Sequence, residues 1–154
     1  MSYGPHPDDH PGEREAKLQH PPFFGKAGQL PFALAHNGVL FNDFELQKTR
    51  KLPKTHIETD SYVAVQLLEQ YGSLSPKSLK QMAEALDGSF TITVLDVNNS
   101  LYLIKGNNPL SLYLFPTLGI YLYASTAEIL GNSLNRLKLS QKPRAEIVVH
   151  RGTS

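Results

Sequence analysis

The chain has 154 residues, 40% of them apolar, which is enough for one domain with a real core. Lys and Arg number 15 against 14 Asp and Glu, and no basic cluster stands out beyond Lys48 to Lys54, so neither nucleic acid nor an anionic membrane is indicated as a partner. Disulfides and thiolate zinc sites are excluded because there is no cysteine; no apolar run reaches membrane-span length and no secretory apolar core is present, so a cytoplasmic protein is expected.

Composition changes near residue 23. In Met1 to Pro22 five residues are proline and three histidine, the apolar ones are only Met1, Tyr3, Ala16 and Leu18, and no period of a strand or helix appears, so residues 1–22 read as unstructured. The domain is placed at 23–154. Phe32 to Ala35 and Val39 to Phe41 flank Asn37-Gly38 and read as two short strands around a tight turn. Asp43 to Lys51 is predicted as a short polar helix. Between Asp60 and Tyr71, Val63, Ala64, Leu67, Leu68 and Tyr71 form one apolar stripe that stops at Gly72. Pro76 opens a second helix over 77–86, with Leu79, Met82, Ala83 and Leu86 inward.

The C-terminal half reads as strands at 89–95, 101–104, 110–115 and 120–123, joined by connections so short that an antiparallel meander is predicted. Ser125-Thr-Ala-Glu128 fits a capping box for a helix to about Leu137, burying Ile129, Leu130 and Leu134. A last strand is expected over 145–150.

Amide hydrolysis needs a nucleophile, a base, and donors aimed at the oxygen that becomes negative. The side-chain amide of Asn37 and the N–H of Gly38 could converge as such donors, although Asn-Gly is also a preferred hairpin turn. His36 is a candidate base, or a histidine simply held by hydrogen bonds. Asp60, at a helix start, is either a cap or a group that holds a substrate ammonium.

Ala35-His-Asn-Gly38 with Asn42, Glu58-Thr-Asp-Ser61, Leu86-Asp-Gly-Ser-Phe90 and Tyr123-Ala-Ser-Thr126, in this order and spacing, resemble the class II, N-terminal-nucleophile glutamine amidotransferases, especially their small stand-alone bacterial forms. The resemblance runs from about Phe23 to His150. It implies an α+β fold, an incomplete version of the αββα four-layer sandwich of antiparallel sheets, and an ancestral hydrolysis of glutamine to glutamate and ammonia through a thioester. It further implies an oxyanion hole at Asn37 and Gly38, an α-amino site at Asp60, and neither metal nor cofactor. Lys105-Gly-Asn-Asn-Pro109 stands where larger members carry Arg-Asp-Pro, and no role is assigned to it.

Two elements of the family have no counterpart: the nucleophilic cysteine, and the arginine of Gly-His-Thr-Arg that binds the substrate carboxylate, whose place holds Gly4-Pro-His-Pro7. The chain as written is therefore expected to be inactive. A non-catalytic domain binding a small molecule or a protein is the alternative, and self-association is expected from the sheet edges that missing strands would leave unpaired. Pro5-His-Pro-Asp-Asp9 also resembles the metal motif of zinc-dependent sugar deacetylases, with His6 and Asp9 as ligands, but it follows no buried strand and no His-x-x-His accompanies it.

Read one base along, the codons of Tyr3 to Pro7 admit Met-Gly-His-Thr-Arg, the missing segment of the family, in the correct register ahead of Phe23. A frameshift near residues 19–22 is the expected origin of the N-terminus. On this account, deleting residues 1–19 leaves the denaturation midpoint unchanged, and the upstream DNA in the shifted frame encodes a cysteine-initiated segment. Stop codons throughout that frame would contradict it.

Overall fold

The computed structural model describes residues 20–139, 142 and 144–147. The proline-rich segment up to residue 19, with His6 and Asp9, lies outside the described residues, as does the predicted end of the last strand beyond Ile147. In chain order the elements are β1 (Phe23–Ala27), β2 (Leu30–Leu40), α1 (Asp43–Thr49), α2 (Tyr62–Tyr71), α3 (Pro76–Ala85), β3 (Gly88–Asp96), β4 (Leu101–Lys105), β5 (Ser111–Phe115), β6 (Ile120–Ala124), α4 (Ala127–Arg136) and β7 (Ala145–Ile147). Two antiparallel sheets result, one of order β1-β2-β3-β4 and one of order β6-β5-β7.

Alternation along the strands sorts the layers. Phe32 and Leu34 on β2 and Phe90, Ile92 and Val94 on β3 are buried and face a core that also holds Val63, Ala64, Leu67 and Leu68 of α2 and Leu79 and Met82 of α3. A separate cluster, Phe115, Leu130 and Leu134, joins β5 to α4, with Tyr113, Leu122 and Ala124 packed against it. Ala35, Asn37, Thr91 and Thr93, on the first sheet's other face, line a cleft with Tyr123 of the second. The layers therefore run helix, sheet, sheet, helix, an α+β arrangement of antiparallel sheets.

Five expectations change, one of them the burial of Ile129, which is 52% exposed on α4. Asn37-Gly38 is not a hairpin turn: β2 runs through it, with Asn37 opposite Thr91 and Gly38 opposite Phe90. The hairpin lies earlier, where Ala27 pairs with Leu30, so β1 supplies the strand that short sequence patterns did not reveal. The predicted meander is divided, because the chain leaves the first sheet after β4 and β7 pairs with β5. The cap of α4 is Thr126, whose hydroxyl accepts from the Ile129 N–H at 3.2 Å, in place of Ser125.

One apolar row remains on the cleft-facing side of the first sheet. Phe24, Ala33, Leu95 and Leu101 are consecutive cross-strand partners, and Phe24, Leu95 and Leu101 are 62%, 48% and 49% exposed. Leu67, by contrast, is 0% exposed between α2 and the sheet. Leu67→Ala is expected to cost about 2–5 kcal/mol in urea denaturation, by lost transfer energy and the cavity left behind. A change within about 0.5 kcal/mol, the usual range for surface sites, would contradict this packing.

Candidate active site

The site is built on the end of β2 that outruns β1. Pairing of β1 with β2 ends at Phe23 and Leu34, so Ala35 to Leu40 have no strand on that edge among the described residues. On the opposite edge the Phe41 N–H donates to the Asp87 carbonyl at 2.8 Å. Backbone groups alternate between edges in an antiparallel ladder. The Leu40 N–H accordingly faces the open edge, where it donates to Asp60 Oδ2 at 2.6 Å. Asp60 thus takes the place of a strand neighbour at one amide.

Asp60 does not cap α2. Ser61 occupies the N-cap position, without a side-chain capping bond, and its buried hydroxyl donates to Asp60 Oδ1 at 3.2 Å. The same hydroxyl lies 2.7 Å from His36 Nδ1. One hydroxyl proton directed to Asp60 leaves an oxygen lone pair for His36, so Nδ1 carries the hydrogen in this arrangement and Nε2 is the bare nitrogen. That Nε2 is buried without a hydrogen-bond partner among the described residues. Burial holds the His36 pKa below its ordinary value of 6.5, while the Asp60 carboxylate pulls it upward. His36 is a neutral link in a chain to Asp60, and it is also one of the residues that line the cleft between the sheets.

Gly38 has φ +141°, and a methyl group there would lie 1.8 Å from the Ser89 carbonyl oxygen. Gly88, opposite Leu40, has φ +152° and would place a methyl 2.2 Å from the Val39 oxygen. Only glycine allows β2 and β3 to pass so closely. Asn37 beside it is exposed, and its side-chain amide makes no hydrogen bond among the described residues. Its carbonyl accepts from Asn108 Nδ2 at 2.7 Å. The peptide between Asn37 and Gly38 is trans, so the Gly38 N–H points away from Asn108, toward the edge that carries Asp60.

The cleft between the sheets, about 210 Å³, is lined by Asn37, Thr91, Thr93, Tyr123 and Ser125 among others. Asp60 does not line it. The structure therefore brings Gly38 and Asp60 to one strand edge, and places Asn37 among the residues that line the cleft. Asn42 acts at a distance: its Nδ2 donates to the Ala85 carbonyl and its Oδ1 accepts from the Asp87 N–H, both at 2.9 Å, which holds the turn from α3 into Gly88. Asn108, Ser89 and the His36–Ser61 bond were not legible as site components, because each depends on contacts distant in sequence.

Residues 14–132 match the family model described as a glutamine amidotransferase domain. The chain is a member of that family. The 7-cyano-7-deazaguanine synthase of Saccharolobus solfataricus is 31% identical over 91 residues, which cover 58% of this chain and 18% of that protein. Two solved structures share the fold at 18% identity, each over 82% of this chain and 27% of the other. They are the allosteric regulatory enzyme of purine biosynthesis, with TM-score 0.61, and the glutamine phosphoribosylpyrophosphate amidotransferase from B. subtilis complexed with ADP and GMP, with TM-score 0.59. The chain thus spans less than a third of the length of each of these proteins. As a glutamine amidotransferase domain it carries the family's scaffold, and among the described residues no helix is long and apolar enough to cross a membrane.

The His36 link predicts a pH response. Folding lowers its proton affinity, so the stability associated with neutral His36 is complete above the unfolded value of 6.5 and is lost as the pH falls from there through the lower folded value. Between about pH 7.5 and about pH 5 the denaturation midpoint of the wild type should fall more than that of His36→Asn, which has no titrating group there. Equal slopes would show that His36 is not coupled to folding.

Proposed function

We propose that this glutamine amidotransferase domain binds L-glutamine along the open edge of β2. The Gly38 N–H and the Asn37 side-chain amide would serve its carboxamide oxygen, and Asp60 its α-ammonium group. The observation that carries this reading is the common edge of the Gly38 amide and the Asp60 carboxylate. Two residues of extended strand span about 6.6 Å. An extended glutamine covers roughly 5 Å from carboxamide carbon to α-nitrogen, four bonds of about 1.5 Å. Asp60 accepts from Leu40 and Ser61, and a carboxylate with about four acceptor positions retains room for an ammonium.

Hydrolysis by this family's chemistry transfers the glutamine acyl group to a cysteine sulfur, releasing ammonia, and water then releases glutamate. The 154-residue chain contains no cysteine, so that transfer has no acceptor in it. Donors at Asn37 and Gly38 would polarise the carbonyl without a thiolate to attack it. The reading is therefore a glutamine-binding domain that is catalytically silent as written. The family's hydrolytic activity would require a thiol supplied at the same edge.

Titration calorimetry with L-glutamine tests binding. Saturable heat is expected, and Asp60→Asn should weaken binding about 10- to 100-fold, because a charge-assisted hydrogen bond of roughly 1.5–3 kcal/mol is lost while the asparagine oxygen can still accept from Leu40. No ammonia should be released. Absence of heat would refute the binding site, and ammonia release abolished by Asn37→Ala would reveal a nucleophile in this chain.

A further inference from the structure

The connection from β4 to β5 carries Asn108 across to the β2–β3 pair. Three contacts seat it there: the Gly106 N–H donates to the Phe90 carbonyl at 2.9 Å, Asn107 Nδ2 to the Gly88 carbonyl at 3.3 Å, and Asn108 Nδ2 to the Asn37 carbonyl at 2.7 Å. Asn108 Oδ1 in turn accepts from the Ser89 hydroxyl. The orientation of this amide is fixed by chemistry, because the Asn37 carbonyl can only accept and must therefore face the NH2 group. An ideal Cβ on Gly38 would lie 2.9 Å from that nitrogen, so Asn108 packs directly over the glycine.

A trans peptide is planar, with its C=O and N–H antiparallel. Whatever holds the Asn37 oxygen therefore also aims the Gly38 hydrogen. Gly38 has no side chain to anchor it, and within the β2–β3 register its φ of +141° is one that glycine adopts readily and other residues rarely do. We propose that Asn108, locked by Ser89, is a positioning residue of the glutamine site: it holds the Asn37–Gly38 peptide so that the Gly38 N–H is presented at the open edge of β2. The assignment rests on the glutamine-binding reading, and it gives the Lys105 to Pro109 segment the role the sequence did not suggest. An amide is required because one group must both donate to a carbonyl and accept from a hydroxyl. Aspartate keeps the bond from Ser89 but sets a carboxylate oxygen against the Asn37 carbonyl.

The test uses the ligand-free, 15N-labelled full chain, so its outcome does not depend on whether glutamine binds. Backbone relaxation and N–H residual dipolar couplings are measured for wild type, Asn108→Asp, Asn108→Ala and Ser89→Ala. Ser89→Ala removes the lock while leaving Asn108 in place, and guards against a variant at 108 that fails to fold. The expected result is a selective fall in order and a changed coupling at Gly38, with Gly106 and Phe90 retaining their wild-type values. Where the wild type binds glutamine, Asn108→Asp should weaken it about tenfold. An unchanged Gly38 amide in the folded variants, or a loss of order spread evenly over residues 36–40 and 106–110, would overturn the assignment and leave Asn108 as a loop anchor only.

Discussion

The antiparallel pairing of β2 with β3 is the constraint on which the rest of the structure depends. It joins Phe32 to Leu40 of one strand to Gly88 to Asp96 of the other, and each strand alternates between a core under the helices and the cleft between the sheets. The same pairing forces glycine at positions 38 and 88, where the strands approach too closely for a Cβ. It also turns alternate amides of β2 outward. At the end that β1 does not cover, those amides become available to Asp60 and, on the proposed reading, to a substrate.

Asp60 is accordingly part of the fold as well as part of the candidate site. Its carboxylate satisfies the Leu40 amide and orients the Ser61 hydroxyl, which leads on to His36 beneath the strand. A half-buried acceptor of this kind is costly to leave unpaired. The chain from His36 to Asp60 therefore couples the charge at the edge to the packing of α2 on the sheet. Asn42 and Asn108 do comparable work on the other side of β2, each bridging segments that no strand ladder connects.

The helices were legible because their signals are local: the stripe from Val63 to Tyr71 and the proline at 76 each lie within one element. Ser75 and Ser78 form a capping box there, close to where the sequence placed the start of that helix. The sheets were legible as strands but not as partners. Asn37-Gly38 carries strong turn chemistry, and what overrides it is the register with β3, which supplies a partner to every residue from Phe32 to Leu40. Likewise the split of the meander depends on the β4–β5 connection being fastened to β2 and β3 by Asn107 and Asn108, contacts with residues up to 71 positions away. Asn37, Gly38 and Asp60 could be singled out from motif order, whereas the alignment of Gly38 and Asp60 along one edge required the strand alternation.

The central claim is that this edge is a glutamine site, and amide chemical-shift mapping tests it most directly. On addition of L-glutamine to the labelled full chain, the account predicts the largest shifts at Gly38 and Leu40, the amides on the open edge beside Asp60, with the amides of α4 unchanged. Shifts confined to other surfaces, or none at saturating glutamine, would contradict it.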